Sequence, residues 1–114
     1  NGVAKFYTQA PSDTVGPPSG TFVLPLDYAH NLIKQAGGDI SRLEIFLGLN
    51  PGDLGKNPVL LIIRRPKGLR MPRGQERGAI EGLWVPGGYT KGGVPEAVVD
   101  QILKGEYTVH ELIN

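Results

Sequence analysis

The sequence predicts a single α+β domain, residues 1–114, in which two short N-terminal helices pack on a twisted antiparallel sheet. Short alternating segments surround two helical patterns, which is the order of elements typical of this class. Glycine and proline fill 27 of the 114 positions, so regular elements must be short and turns frequent. The chain is nevertheless 39% hydrophobic with a formal net charge of +1, which indicates a folded protein and not a disordered one.

The first half of the chain predicts two strands followed by two helices. Val3 to Thr8 and Thr21 to Leu26 have the apolar and β-branched composition of short strands. Asp27 is a suitable N-cap for a helix that the glycines at 37 and 38 end. A second helix is expected to begin at a cap provided by Asp39 or Ser41 and to reach Gly48.

The second half predicts short strands only. The run VLLII at 59–63 is β-branched and continuous, which favours a strand buried on both faces. Further strand patterns lie at 69–71, 79–85, 96–102 and 106–112, although 96–102 fits a short helix equally well. In the last of these, alternation places Thr108, His110 and Leu112 on one face and Tyr107 and Val109 on the other.

Basic charge is concentrated between residues 64 and 77, where six lysines and arginines accompany one glutamate. Such a cluster is typical of a phosphate-binding surface, although a solvated basic loop has the same composition. Guanidinium groups donate paired hydrogen bonds to phosphate. The candidate ligands for RNA phosphate or bases are Arg64, Arg70, Arg73, Arg77, Tyr89, Lys5 and Tyr7.

Histidine provides the best candidate for acid–base chemistry. His110 is expected beside the Thr108 hydroxyl on one strand face, an arrangement suited to proton transfer at a phosphodiester. A surface histidine on an edge strand has the same pattern. The segment PGGYTKGG at 86–93 is expected to hold Tyr89, Thr90 and Lys91 at the tip of a loop between two strands. With no cysteine and two histidines, neither a metal site nor a cofactor is expected.

From residue 68 to 102 the sequence GLRMPRGQERGAIEGLWVPGGYTKGGVPEAVVDQI resembles the C-terminal tips of bacterial polymorphic toxins, such as contact-dependent growth inhibition effectors and Rhs proteins. The resemblance lies in basic residues, an aromatic-Val-Pro-Gly-Gly segment and GGxxEAVV. It implies a toxin domain at the end of a larger effector, secreted or presented at the cell surface and acting in the cytoplasm of a target cell. It also implies an acidic immunity protein as partner.

Two chemistries within that group fit the chain. The first is a metal-independent ribonuclease of the barnase, EndoU, colicin and RelE type, which cuts RNA, most often tRNA, by 2′-hydroxyl attack that leaves a 2′,3′-cyclic phosphate. Its catalytic groups would be His110, Thr108, Thr90 and Lys91, and a host factor such as elongation factor Tu could assist it. The two strands before the helices depart from that pattern.

The second chemistry is consumption of NAD by an enzyme of the ADP-ribosyltransferase or NAD-glycohydrolase type. Here the resemblance lies in the early strand pair KFYT and GTFVLP and in Glu96 of GGVPE, which would be the catalytic acid. The early arginine or histidine usual in that superfamily is missing, with Lys5 and Tyr7 its nearest substitutes, and the ExE motif is absent. A strand pair preceding the helices, together with Glu96 facing a cleft, would favour this alternative.

Overall fold

A computed structural model describes residues 2–71, 84–85, 89–90 and 96–112. These residues form two helices and seven strands in the order β1 (Val3–Tyr7), β2 (Thr21–Pro25), α1 (Leu26–Ala36), α2 (Ile40–Phe46), β3 (Val59–Ile63), β4 (Trp84–Val85), β5 (Tyr89–Thr90), β6 (Ala97–Val99) and β7 (Thr108–Glu111). The α+β class is therefore confirmed. The strands β1 and β2 precede both helices, as the strand patterns at 3–8 and 21–26 predict.

Five strands form one sheet in the order β6-β2-β1-β3-β7, with every neighbouring pair antiparallel. The longest pairing joins β1 to β3 over five residues, from Val3 opposite Ile63 to Tyr7 opposite Val59. The predicted strand at 59–63 is confirmed, since all five of its residues are buried between β1 and β7. The sheet thus places the beginning of the chain at its centre.

One face of the sheet carries both helices. The cluster there joins Ala4, Leu60 and Ile62 from the strands to buried residues of the helices and the following loop, namely Leu26, Ala29, Leu32, Ala36, Leu43, Leu47 and Leu54. We call this the helix face. Its apolar helix residues recur at intervals of three and four, so each helix turns one stripe toward the strands.

The opposite face, which we call the loop face, is covered by irregular segments. Val15 and Ile102 form an antiparallel bridge and pack on Val23, Leu61 and other strand residues. Leu61 has no exposed surface, and burial of a leucine side chain contributes about 1.5–3 kcal/mol. The proline- and glycine-rich segment after β1 therefore covers the sheet on the loop face and contributes Val15 to the core.

The helix ends agree with the sequence expectations except at one cap. Gly37 ends α1 in the left-handed conformation at φ 62°, and the Asp39 side chain caps α2 by accepting hydrogen bonds from the backbone N–H groups of Ser41 and Arg42. Asp27, however, is not the N-cap of α1. The helix begins at Leu26 directly after β2, because the Leu26 N–H donates to the Gly2 carbonyl, and Asp27 lies in the first turn.

The segment containing Tyr89 and Thr90 also differs from expectation. These two residues are not at a loop tip but form β5, which pairs with β4 in the register Trp84 opposite Thr90 and Val85 opposite Tyr89. The strands are three residues apart in sequence, a usual length for a hairpin connection. Within the described ranges, no helix is both long and apolar enough to cross a membrane.

Candidate functional site

The central strand β1 carries a lysine on an otherwise apolar surface. Lys5 lies between Val3 and Tyr7 on the loop face and opposite Leu61 of β3. Its Nζ donates a hydrogen bond of 3.0 Å to the carbonyl oxygen of Phe22 in β2. Burial disfavours the ammonium form and lowers the pKa of Lys5 to about 8, although the nearby Glu96 carboxylate opposes this shift.

Glu96 comes directly before β6, the strand that pairs with the other side of β2. Its neighbour Ala97 is opposite Val23, which fixes Glu96 at the start of that pairing. The side chain is half-buried, and this burial raises the pKa of Glu96 to about 7 while the charge of Lys5 opposes the increase. The order β6-β2-β1 thus brings an acid from the end of the chain near a lysine from its beginning.

The Lys5–Glu96 pair has the properties expected of a functional site. Desolvation shifts both pKa values toward neutrality, so each group changes protonation state near physiological pH. Burial of two charged groups costs stability that apolar residues would not cost. A carboxylate in such a place can stabilise a developing positive charge or transfer a proton.

The structure also brings His110 and Thr108 together, as predicted. Thr108 Oγ1 lies 3.0 Å from His110 Nε2, and the two residues face Ile62 and Leu60 on the helix face of the sheet. Both side chains are exposed on β7, the outermost strand beside β3. The predicted alternation is confirmed at Leu112, which packs against the helix-face cluster.

A cavity of about 200 Å³ lies on the other side of β7. Its lining includes Val109 and Glu111 of β7 together with Gln9 and Asn57. Alternation along β7 points these side chains away from His110 and Thr108. This cavity therefore does not surround the His110–Thr108 pair.

Half of the described basic cluster is paired with acids. Lys67 Nζ lies 2.6 Å from Glu106 Oε2, and Arg70 Nη1 lies 2.9 Å from Asp100 Oδ1. The Arg70 guanidinium also donates to the carbonyl oxygens of Gly68 and Ser19, so it joins three loops. Arg64 and Arg65 are exposed. The local positive charge at 64–70 is accordingly smaller than the sequence suggests.

The structure describes the remaining predicted site residues only in part. Tyr7 is half-buried and packs against the loop-face cluster. The backbone of Tyr89 and Thr90 is described, but their side chains are not. Lys91, Arg73 and Arg77 lie outside the described residues. In the part of the chain that the structure describes, no three His, Cys, Asp or Glu side chains gather as metal ligands.

The coupling of Lys5 to Glu96 was not predicted from the residues. The resemblance to NAD-consuming enzymes names Lys5 and Glu96 for the same site, but no pattern of residues in the sequence indicates that their charges interact. Comparison of the chain with protein-family models, curated proteins and solved structures finds no significant match in any of the three.

Proposed function

We propose that the chain is the toxic domain of a bacterial polymorphic toxin and that it consumes NAD. The observation that supports this most is the sheet order β6-β2-β1, which places the segments of Lys5 and Glu96 on the two sides of β2, because these segments carry the resemblance to NAD-consuming toxins. The strands of KFYT and GTFVLP precede the helices and are neighbours in the sheet, and β6 follows Glu96 on the other side of β2. Three segments distant in sequence therefore meet at one place.

The chemistry requires a stabilised positive charge. The bond that breaks joins ribose C1′ to the nicotinamide nitrogen, and the ribose becomes cationic, like the oxocarbenium ion of glycoside hydrolysis. Nicotinamide leaves as a neutral molecule, so the useful form of Glu96 is the carboxylate, which stabilises the ribose cation. Water adds to C1′ and releases a proton, which gives ADP-ribose. Lys5 acts as a positioning residue that orients the carboxylate.

The decisive experiment offers both substrates to the purified chain. Incubation with NAD should produce ADP-ribose and nicotinamide in equal amounts, while total RNA incubated in parallel with EDTA should stay intact. Expression of the chain in bacteria should arrest growth and lower cellular NAD. Intact NAD together with discrete RNA fragments would reject NAD as the substrate and favour the ribonuclease.

We expect the rate of NAD consumption to fall as the pH is lowered through about 7. Because the pKa of Glu96 is raised to about 7, only about 1% of it is carboxylate at pH 5, and the rate there should be about a hundredfold below its maximum. A second decline is expected above pH 8 as Lys5 loses its proton. Initial rates at constant ionic strength measure both limbs.

Circular dichroism at each pH controls for unfolding. The folded state raises the pKa of Glu96 above its ordinary value of 4.5, so protonation of this group stabilises the fold as the pH falls. An acid limb caused by Glu96 should thus occur in folded protein. A rate that stays constant from pH 8 to pH 5 would be inconsistent with a carboxylate mechanism at this residue.

A second candidate function is a metal-independent endoribonuclease, which the contact of 3.0 Å between His110 and Thr108 favours. In that reaction one group takes the proton from a ribose 2′-hydroxyl and another protonates the leaving 5′-oxygen. The exposure of both residues leaves room for a large substrate such as tRNA. This candidate function also includes the ribonuclease fold that the resemblance implies and the catalytic roles of Thr90 and Lys91.

For the ribonuclease, His110→Ala is expected to lower RNA cleavage by about 10²- to 10⁴-fold, the usual contribution of a general acid or base. His30→Ala is the matched control, since His30 is exposed on α1 and should be dispensable. Cleavage of tRNA in EDTA, with detection of cyclic phosphate ends, is the measurement. Equal activity of the two variants would remove His110 from the mechanism.

A further inference from the structure

The two edges of the five-stranded sheet differ in what lies beside them. At the β6 edge, the backbone of Arg70 pairs with Val98 through two hydrogen bonds of 2.8 Å, one in each direction. The opposite edge is β7, whose four residues are all exposed. In the ranges that the structure describes, no strand pairs with the outer side of β7. A backbone edge of this kind is a template for a further strand.

The hydrogen bonds between β7 and β3 determine which backbone groups this edge presents. The Leu112 N–H donates to the Pro58 carbonyl oxygen just beyond the end of β7. Because antiparallel pairs alternate between bonded and non-bonded positions, the even-numbered residues of β7 also bond toward β3. The N–H and C=O groups of Val109 and Glu111 therefore point away from the sheet.

The strand β7 lacks three features that commonly protect an edge. It contains no proline and no lysine, and its register with β3 runs without a bulge from Glu111 opposite Val59 to Thr108 opposite Ile62. Val109 leaves 39% of its surface exposed at this edge, although valine favours a paired strand. These properties favour the addition of another strand through backbone hydrogen bonds.

We propose that β7 pairs antiparallel with β7 of a second copy of this chain, across a two-fold axis at Val109, so that two five-stranded sheets become one. In this register, Val109 lies opposite Val109 of the partner subunit, and the outward N–H and C=O groups of the two strands bond to each other. A two-fold interface requires a surface that is complementary to itself. The inference does not depend on NAD consumption.

The side chains of β7 meet that requirement in this register. On the helix face, His110 lies opposite Thr108 of the partner subunit, and on the loop face, Glu111 lies opposite Tyr107 of the partner subunit. No like charges oppose each other, and the cavity of about 200 Å³ beside Glu111 leaves space for an aromatic side chain. Moving the axis to His110 would instead place two histidines opposite each other, which is unfavourable when they are protonated.

A contact formed by one pair of strands is small, so we expect a weak dimer whose population depends on concentration. Sedimentation of the whole chain from about 10 μM to about 1 mM measures it. The average mass should rise from 12.2 kDa toward twice that value. A mass that stays at 12.2 kDa throughout would overturn the proposal and would leave this edge to a strand of another protein.

Val109→Pro tests the edge directly. Proline removes the outward N–H, which β3 does not use, so this variant should keep its fold but remain monomeric. Val109→Thr is the matched control, since threonine keeps both the N–H and the β-branched shape and should still pair. Circular dichroism verifies the fold of both variants. A dimer that survives in Val109→Pro would place the interface elsewhere and reject the proposal.

Hydrogen exchange of the unaltered chain locates the interface without any substitution. Where about nine-tenths of the chains are paired, the amides of Val109 and Glu111 should exchange about tenfold more slowly than in the monomer, because they open only in the unpaired tenth. The amides of Thr108 and His110, which already bond to β3, should change less. Unchanged exchange at Val109 and Glu111 in a chain that dimerises would contradict pairing through β7.

Discussion

Glu96→Gln is expected to lower NAD consumption by at least about a hundredfold while making the protein more stable at pH 8. The amide keeps the size of the side chain but carries no negative charge, so it cannot stabilise a ribose cation, and one lost electrostatic contact in an active site costs about 10²- to 10³-fold. Production of nicotinamide at pH 8 by equal amounts of the two proteins measures the loss.

The expected gain in stability follows from the raised pKa of Glu96. Between pH 4.5 and 7 the folded state holds a proton that the unfolded state releases, so the stability contributed by the protonated acid is lost as the pH rises through about 7. Glutamine has no such loss. Because Glu96 is partly exposed, we expect a gain of about 1 to 2 kcal/mol at pH 8 and about none at pH 4, measured by urea unfolding.

Glu111→Gln is the matched control, since it makes the same chemical change on an exposed strand. It should alter neither NAD consumption nor its pH dependence. If Glu96→Gln retained wild-type activity, the proposed mechanism would fail even if NAD were the substrate. If it lost both activity and stability, Glu96 would be acting as a structural residue.

Local elements could be predicted because their causes are local. The alternation of residues predicts which side chains share a face of β7, and the β-branched run at 59–63 predicts β3. Gly37 and Asp39 predict the boundary between the helices, because a glycine in the left-handed conformation ends α1 and a capping carboxylate begins α2. The misplaced cap at Asp27 arises from a tertiary contact, the Leu26 hydrogen bond to Gly2, which no local pattern contains.

The arrangement of the sheet depends on distant parts of the chain. β6 pairs with β2 across more than seventy residues, and this pairing brings Glu96 toward Lys5. A strand pattern does not specify its partner, because many antiparallel orders bury the same apolar residues. The sequence could thus indicate Lys5 and Glu96 separately as candidates. The effect of each on the pKa of the other could be recognised only from the fold.

In helix α2, too, the local sequence does not determine which side chains are buried. Its apolar residues do not all turn to the core, since Ile45 is 69% exposed whereas Glu44 is only 4% exposed. A helix of seven residues turns to the core the face that its neighbours require. Here the backbone N–H groups of the loop after α2 need a hydrogen-bond acceptor, and the Glu44 carboxylate provides it.

Glu44→Ala is accordingly expected to destabilise the fold by about 3 kcal/mol. Its two carboxylate oxygens accept hydrogen bonds from the backbone N–H groups of Gly52, at 3.1 Å, and Leu54, at 3.0 Å. Leu54 is buried in the helix-face cluster, so its N–H would lose this acceptor away from water, and an unsatisfied buried donor costs about 1–3 kcal/mol. The exposed Gly52 N–H can turn to water and contributes less.

Urea unfolding measures this loss, which should lower the midpoint by about 1.5 M for a domain of this size. Asp53→Ala is the control from the same loop. The Asp53 carboxylate also accepts a backbone hydrogen bond, from Asn50 at 2.9 Å, but it does so at the surface and should contribute less than about 1 kcal/mol. Equal midpoints for the two variants would mean that burial of Glu44 does not strengthen its contacts, and the loop would then be held by the packing of Leu54 alone.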